Sequence, residues 1–277
     1  MLKADSHVHS PYCPHGTPDP FAAYLEQAIS YGLEEITFTE HAPLPRGFND
    51  PTPLHDSAMR YEQIQGYITE LQALQKEYSK RITILIGMEF DYIDGYEEEI
   101  KKLMDEVGPY LNDSILSVHF LKETNDYFCI DYSADHFGQM INRFGSADRI
   151  YSSYFETVRK SISADLGTYK PIRIGHMTLA HKFQHAYPPS RPFTEEERQI
   201  VQMAKENGMA LDYNGAGTVK PLCLETYPPE PIVKYAMSIG VPLVFGSDAH
   251  SAQDLCQGSS KLAAGVAITK PSALTAR

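Results

Sequence analysis

Short apolar runs alternate with helical patterns along most of this chain, and this alternation is the strongest constraint on its fold. Val, Ile and Leu dominate most of the runs, as they do in strands buried on both faces. Strands that alternate with helices pair as parallel sheets. The sequence therefore predicts an α/β protein with seven parallel strands, over residues 2–5, 35–39, 82–88, 114–117, 172–174, 209–213 and 242–245.

The helical patterns between these runs carry recognisable start signals. Asp19 and Pro20 have the pattern of an N-cap followed by proline at the first helical position. Thr194 and the three glutamates after it have the pattern of a capping box. The other helical patterns cover residues 57–79, 96–107, 151–166 and 229–239. A chain of 277 residues can hold one α/β barrel, which takes about 250 residues.

The last part of the chain differs from the rest. Residues 258–277 are rich in Ser, Ala, Lys and Thr and lack an apolar period. We expect this tail to be a disordered terminus or vector-derived sequence. The predicted organisation is therefore a single barrel domain over residues 1–257.

Composition and charge exclude several classes of protein. The net charge of −12 repels a phosphate backbone, which argues against a broad nucleic-acid-binding face. The apolar runs are too short for a membrane helix of about 20 residues, and the first residues lack the apolar core of a signal peptide. The four cysteines are scattered without a CxxC pair, so neither a disulfide framework nor a zinc knuckle is predicted. Free thiols without a signal peptide favour the cytoplasm.

Histidine and acidic residues follow six of the seven apolar runs, each time at the carboxyl end. In a parallel barrel these ends share one face, where active sites form. His7 and His9 are two residues apart in an extended segment, so both imidazoles project to the same side. Imidazole and carboxylate groups together suit zinc, iron or manganese. The sequence therefore predicts a multinuclear metal site on this face, with candidate ligands among Asp5, His7, His9, His15, Glu40, His41, Glu89, His119, His176, Asp248 and His250.

The remaining histidines do not follow apolar runs. They are predicted to have structural roles or to contact a substrate: His55, His136, His181 and His185. Loop residues that could meet a cationic amine are Glu40, Phe48, Asp50, Asp131 and Tyr132.

Several motifs together resemble the PHP superfamily, whose name combines polymerase and histidinol phosphatase. These are Asp-x-His-x-His from Asp5, Glu40-His41, Glu89 and the segment GSDAH that ends at His250. The segments TEHAPLP, DSILSVHFL and ADLGTYKPIRIGH are most similar to the monofunctional histidinol-phosphatase branch, and the resemblance covers residues 1–257. It implies a distorted (β/α)7 barrel of the TIM type, with three metal ions on the face formed by the carboxyl ends of the strands.

The resemblance also implies how the ligands are shared. The first metal ion would be held by His7, His9, Glu89 and Asp248. Glu89 would bridge to the second ion, which His119 and His176 complete. The third ion would be held by His15, His41 and His250. Asp5 and Glu40, which adjoin ligands, are candidates either for orienting imidazoles or for hydrogen bonding at strand ends.

The resemblance implies hydrolysis of L-histidinol phosphate, a small phosphorylated amino alcohol, in histidine biosynthesis. A hydroxide bridging two of three divalent ions (zinc, iron or manganese) would attack phosphorus, because bound metal lowers the pKa of water to about 7. Asp248, His250, Arg159 and Arg191 are the predicted catalytic residues, and Arg159, Arg191 and Glu40 the predicted substrate contacts. Arg46 and Arg143 are alternatives for phosphate binding. Arg173, inside a predicted strand, is expected to pair structurally.

Two alternatives remain at this point. The chain could be a PHP-type nucleotide or oligonucleotide phosphoesterase, against which the acidic charge and the histidinol-phosphatase-like segments argue. It could also be a catalytically silent metal-binding or regulatory module. The complete set of ligands argues against that second alternative.

Overall fold

A computed structural model describes residues 2–274 of the chain. The strands are β1 (Ala4–Val8), β2 (Glu35–His41), β3 (Thr83–Asp91), β4 (Ile115–Ser117), β5 (Phe120–Glu123), β6 (Asp126–Cys129), β7 (Arg173–Ile174), β8 (Ala210–Asn214) and β9 (Leu243–Gly246). The α-helices are α1 (Phe21–Ser30), α2 (Ile64–Glu77), α3 (Glu97–Val107), α4 (Ala134–Phe144), α5 (Ala147–Ser163), α6 (Thr194–Glu206) and α7 (Glu230–Ile239). Within the described residues, no helix combines the length and apolar character that crossing a membrane requires.

Seven strands pair in parallel in the order β1-β2-β3-β4-β7-β8-β9. The two edges approach each other, because Val8 forms a parallel bridge with Ala249. The backbone N–H of Asp248 also donates to the carbonyl of His7, at 2.7 Å. The sheet is thus a nearly closed barrel surrounded by helices, which confirms the predicted α/β barrel. The antiparallel hairpin of β5 and β6 is an addition that the apolar runs do not predict.

Most barrel strands continue past the apolar runs that predict them. His7 lies inside β1, His41 is the last residue of β2, and Glu89 lies inside β3. His41 and Glu89 are paired in register. An apolar run stops at the first polar side chain, whereas the hydrogen-bonded ladder continues for as long as the backbone stays extended. The carboxyl ends of these strands therefore form a polar wall inside the barrel.

Two predicted helix starts differ from the structure. Pro20 occupies the N-cap of α1, and the carboxylate of Asp19 instead accepts hydrogen bonds from Thr17 Oγ1 at 2.9 Å and from the backbone N–H of Ala252 at 3.0 Å. Thr194 is the first residue of α6 rather than its cap. The glutamates after Thr194 do lie in the first turn, where negative charge favours the helix dipole.

The segment after residue 257 also differs from the prediction of a disordered tail. Between residues 258 and 274 the chain packs beside the amino end of β9, where Ile268 forms a parallel bridge with Leu243. The N–H of Thr269 donates to the carbonyl of Leu243 at 2.8 Å, and the N–H of Ala263 donates to the Tyr213 hydroxyl at 2.9 Å. Leu262, Val266 and Ile268 also pack against the core, but they are too widely spaced among polar residues to form an apolar run. Residues 275–277 lie outside the described part of the chain.

Deleting residues 258–277 should destabilise the barrel. Loss of these two hydrogen bonds should lower the free energy of unfolding by about 1 kcal/mol each. For a chain of this size, the total corresponds to a fall of about 4–8 °C in the unfolding midpoint. Tyr213→Phe removes one of the two and should lower the midpoint by about half as much. Thermal unfolding followed by circular dichroism measures both, and an unchanged midpoint in the truncated chain would show that the tail adds nothing.

Candidate metal centre

All nine predicted metal ligands meet at the mouth of the barrel. They come from β1, β2, β3 and the segments that follow β1, β4, β7 and β9. Residues as distant in sequence as His7 and His250 therefore come together. The imidazole rings of His9 and His250 are stacked with their centroids 4.0 Å apart. The rings of His119 and His176 lie 4.8 Å apart. Parallel pairing brings these side chains to one face, as the positions at the strand ends predict.

Glu89 lies at the centre of the cluster, and its two oxygens face different ligands. Oε1 lies 2.9 Å from Nε2 of His176 and 3.8 Å from Nε2 of His119. Oε2 lies 3.4 Å from Nε2 of His7 and 3.7 Å from Nε2 of His9. One carboxylate is therefore shared between two groups of imidazoles, which is the geometry a bridging ligand needs.

The spacing of these atoms suits bound divalent cations. Two ligands of one ion are separated by about 3.0–3.4 Å when each metal–nitrogen bond is about 2.1 Å. Nε2 of His119 and Nε2 of His176 are 3.1 Å apart, and Nε2 of His9 is 3.0 Å from Oδ1 of Asp248. Nε2 of His7 is buried and has no hydrogen-bond partner among the described residues. A buried nitrogen without a partner is costly unless a ligand satisfies it, so the site fits divalent metal ions.

The third group of predicted ligands has one unexpected neighbour. Nε2 of His15 and Nε2 of His250 are 3.2 Å apart, and His41 contacts both rings. The thiol of Cys13 is buried, with its sulfur within 4.8 Å of ligand atoms of His9, His41 and His250. His15 itself is exposed on the rim. Sequence reasoning passed over Cys13 because a single cysteine carries no spacing signal.

Carboxylates hold the outer nitrogen of several of these rings. Nδ1 of His7 lies 2.8 Å from Oδ2 of Asp212, and Nδ1 of His119 lies 2.7 Å from Oδ1 of Asp91. Nδ1 of His9 lies 3.4 Å from Oε1 of Glu40. A carboxylate on Nδ1 selects the tautomer whose Nε2 carries a free lone pair, and it turns the ring toward the metal position.

Glu40 is predicted from the sequence in this role, whereas Asp91 and Asp212 are not. Asp212 and Asn214 alternate in β8, so both face the barrel interior. Nδ2 of Asn214 donates to Oδ2 of Asp212 at 3.1 Å and to Oδ2 of Asp248 at 3.3 Å. The alternation of polar residues in this strand was the signal that could have revealed them. Asp5 instead accepts hydrogen bonds from the backbone N–H groups of Ser247 and Cys256, at 2.9 and 2.8 Å.

Asp212 belongs to a chain of buried charged groups that also includes Arg173 and Asp113. Nη1 of Arg173 lies 3.5 Å from Oδ1 of Asp212, and Nη2 donates to Oδ2 of Asp113 at 2.5 Å. Nη2 of Arg173 also donates to the carbonyl of Ser6 at 2.8 Å. Arg173 and Asp212 are fully buried. The expected structural pairing of Arg173 is present, and it extends through Asp212 to the metal-ligand candidate His7.

The charges in the cluster keep its carboxylates ionised. Burial alone would raise the pKa of Glu89, but the facing imidazoles, His7 and His119 first, hold it well below the usual range. Burial lowers the pKa of His41 to about 4, helped by repulsion from His9. Metal binding requires ionised carboxylates and neutral imidazoles. The carboxylates are therefore already ionised. Burial alone would lower the pKa of His9 and His119, but facing carboxylates raise it to about 9 and about 10, so metal binding would displace their protons.

A cavity of about 410 Å³ opens over this cluster. The candidate ligands His15, His41, His119, His176, Asp248 and His250 form part of its wall. Asp131 and Tyr132, expected as loop contacts, also line it, whereas Phe48 and Asp50 are not among its lining residues. The other lining residues with polar side-chain groups are Thr52, Asp56, Ser57, Asp91, Cys129, Lys182, Lys220, Tyr227, Asp254 and Gln257.

The structure does not bring the predicted substrate contacts to this cavity. Arg159 on α5 pairs with Glu156 at 2.5 Å, one helical turn away. Arg191 is exposed, pairs with Glu196 at 2.5 Å and lies over the ring of Phe193. Glu40 is fully buried beneath His9 and accepts from the N–H of Ser10 at 2.8 Å. Each has a local partner, and none of the three is among the residues that line the cavity.

The alternative phosphate contacts lie elsewhere too. Arg46 stacks over Tyr61, and Arg143 pairs with Asp126 on the β5–β6 hairpin. The histidines expected to have structural or substrate-contact roles also lie outside the cavity lining: His55, His136, His181 and His185. His181 has a structural role: its Nδ1 lies 2.6 Å from Oε1 of Glu225 and its Nε2 lies 3.2 Å from Oε1 of Glu197.

The sequence and the fold of this chain are both similar to those of known proteins. The sequence profile described as PHP domain matches residues 5–216. Histidinol-phosphatase from Bacillus subtilis (strain 168) is 46% identical over 259 residues, which is 92% of this chain and 96% of that protein.

Two crystal structures share the fold. A protein from Listeria monocytogenes, provisionally assigned as a histidinol phosphatase, superposes with a TM-score of 0.90 at 35% identity and covers 94% of this chain and 100% of its own. Histidinol phosphate phosphatase from Lactococcus lactis subsp. lactis, in complex with zinc, L-histidinol and phosphate, superposes with a TM-score of 0.68 at 21% identity. That match covers 91% of this chain and 88% of the Lactococcus protein, and at this identity it supports the fold.

Asp212→Asn should weaken metal binding about 10- to 100-fold, because the amide no longer supplies the charge that holds Nδ1 of His7. Competition with a chromophoric zinc chelator measures the affinity. Asp113→Asn is the matched control, since it removes the other carboxylate of Arg173 without touching an imidazole. It should change the free energy of unfolding but leave metal affinity near that of the unsubstituted chain; equal losses in both variants would contradict the role of Asp212.

His181 should make stability depend on pH. Burial alone would lower its pKa, but the hydrogen bonds that its ring donates to Glu197 and Glu225 raise it to about 9. Its folded pKa lies above the ordinary value of 6.5, so the stabilisation is full below pH 6.5 and is lost as pH rises through 9.

The stability difference between the unsubstituted chain and His181→Gln should therefore shrink by up to about 3 kcal/mol between pH 6.5 and 9. Chemical denaturation at several pH values measures this difference. His185→Gln, an exposed histidine in the same loop, is the control and should show no such trend. A difference that stays constant with pH would show that His181 is not charged in the folded protein.

Proposed function

This chain belongs to the PHP domain family, in its histidinol-phosphatase branch, and we propose that it hydrolyses L-histidinol phosphate to L-histidinol and phosphate with the help of divalent metal ions. The observation that carries the proposal is the shared carboxylate of Glu89, which lies between two groups of imidazoles below a cavity of about 410 Å³. The Bacillus subtilis relative, a histidinol-phosphatase, matches almost the whole chain and supports the choice of substrate.

Three divalent ions, of zinc, iron or manganese, would be held by the chain. His7, His9, Glu89 and Asp248 would hold the first, and Glu89, His119 and His176 the second. His15, His41 and His250 would hold the third, with the Cys13 sulfur close by. The different distances of the two Glu89 oxygens support the sharing of this residue. Imidazole and carboxylate donors suit each of the three metals.

The bound ions would supply Lewis-acid stabilisation of the phosphate oxygens and lower the pKa of water. The chain's own residues set the geometry. Asp248 has a φ of +56°, an unusual value for a residue other than glycine, and its N–H is tied to the His7 carbonyl. This turn aims one oxygen of Asp248 at His9 and the other at Asn214. Asp248 and His250 both line the cavity, which supports a role for both beside the phosphate group of the substrate.

The cavity suits a small substrate with charges of both signs. Its wall carries the carboxylates of Asp56, Asp131 and Asp254 as well as the candidate metal ligands. A phosphate dianion would face the metal positions, while acidic groups nearby are compatible with a cationic amine. The same acids repel a polyanion, which favours histidinol phosphate over an oligonucleotide.

Metal removal should abolish turnover of histidinol phosphate, and zinc, manganese or iron should restore it to different degrees. Elemental analysis of the reconstituted protein should give about three ions per chain. His7→Ala and Asp248→Ala should abolish turnover while circular dichroism shows a folded barrel, whereas His185→Ala should remain active.

The outcomes separate the parts of this proposal. Full activity with metal shown to be removed would overturn metal dependence. Full activity with one ion per chain would overturn the three-ion arrangement alone. Faster hydrolysis of a short oligonucleotide or a nucleotide than of histidinol phosphate would overturn the substrate assignment.

A further inference from the structure

The cavity wall carries lysines where the sequence predicts arginines. Among the described residues, the Lys and Arg side chains that line the cavity are Lys182 and Lys220. Lys220 is exposed, whereas about a fifth of the Lys182 side chain is accessible. A phosphate dianion gains most from a cation that is partly shielded from water, since screening weakens exposed charges. Lys182 is therefore the cation best placed to act on a bound anion.

The ammonium group of Lys182 is held in place by an acid of the same wall. Nζ donates to Oδ2 of Asp131 at 2.9 Å, and Oδ1 of Asp131 accepts from the Cys129 thiol at 3.3 Å. An ammonium group has three N–H donors. Asp131 takes one of them, so donors remain for a ligand in the cavity. Burial alone would lower the pKa of Lys182, but Asp131 and then other acids, including Asp248, raise it above its ordinary value.

The segment that carries Lys182 is anchored at its neighbour. Leu179–Phe183 forms a 3₁₀ turn directly after the strand and ligand segment that ends in His176. His181 ties this turn to α6 through Glu197 and to the segment after β8 through Glu225. The backbone that carries Lys182 is thus held by two other elements. Lys182 follows the candidate metal ligand His176 by six residues in the sequence.

From this arrangement we propose that Lys182 is a catalytic residue that donates hydrogen bonds to the phosphate group of the substrate. The proposal rests on the phosphomonoesterase activity proposed above. Lys182 would neutralise the phosphate oxygens that face away from the metal positions and would hold the dianion for attack at phosphorus. Asp131 would keep the ammonium group oriented when the cavity is empty. Lys182 would thus make the phosphate contact that the sequence predicts for Arg159 and Arg191.

The test compares phosphate binding and turnover in metal-loaded variants. Lys182→Met should weaken the binding of inorganic phosphate, measured by calorimetry, and lower kcat/KM for histidinol phosphate, each by about 10- to 150-fold. Metal content should be unchanged. Lys182→Arg keeps the charge and should retain most of the phosphate affinity.

Two further variants test whether the loss of affinity is specific to Lys182 and whether it arises from destabilisation of the fold. Lys160→Met removes a lysine in a similar ion pair, with Asp94 at 2.8 Å, outside the cavity lining, and should leave both quantities unchanged. Lys182→Met with Asp131→Asn removes the carboxylate that would otherwise be unpaired. It should be as stable as the unsubstituted chain to within a few degrees and should still lose phosphate affinity.

The results distinguish this proposal from the proposed function. Unchanged phosphate affinity in both Lys182→Met variants would overturn the role of Lys182, whatever the substrate. Loss of affinity in Arg159→Met or Arg191→Met instead would restore the prediction from the sequence. If the unsubstituted chain binds phosphate but does not hydrolyse histidinol phosphate, the substrate assignment fails, while the loss of affinity in Lys182→Met still supports Lys182 as the phosphate contact.

Discussion

Mutual compensation of buried charge around Glu89 is the interaction on which this structure depends. Imidazoles and carboxylates approach to within 3–4 Å of one another in a space with little water, as the 2.9 Å contact of His176 with Glu89 shows. Burying such groups is costly unless each finds an opposite charge or a ligand. Divalent cations supply what the side chains lack. Bound metal would therefore offset the cost of burying this set of donor groups in the barrel.

Rigidity in this region comes from charge as well as from packing. Asp113, Arg173 and Asp212 form a buried chain that reaches His7 from inside the barrel. A buried ion pair is weak evidence for stability, because desolvation offsets much of the attraction. Its value here is geometric: Arg173 fixes the orientation of Asp212, and Asp212 fixes the imidazole of His7. Gly246 makes room for this contact, since a Cβ there would lie 2.5 Å from Oδ1 of Asp212.

How much the sequence could predict follows from what each signal measures. Apolar runs locate the seven strands, and polar residues after them locate the ligands, because parallel strands share a face. The partners of the imidazoles were harder to predict: Asp212 lies within a buried strand, and Asp91, the last residue of β3, is one of several acids after the apolar run that predicts this strand. The i,i+3 spacing of Glu156 and Arg159 on one helix favours their pairing, but it does not show whether Arg159 reaches the cavity. Which side chains line the cavity depends on tertiary geometry, which spacing along the chain does not encode.

Charge near the cavity resolves an apparent conflict between the whole chain and its substrate. A net charge of −12 repels anions at long range, yet a phosphate ester must enter. Metal ions and Lys182 act within the cavity, where screening is weakest, while Asp56 and Asp254 lie along its wall. A small molecule with one phosphate and a cationic amine can satisfy both kinds of charge at once. A polyanion would meet the acids with every further phosphate, so the same distribution of charge that admits histidinol phosphate disfavours nucleic acid.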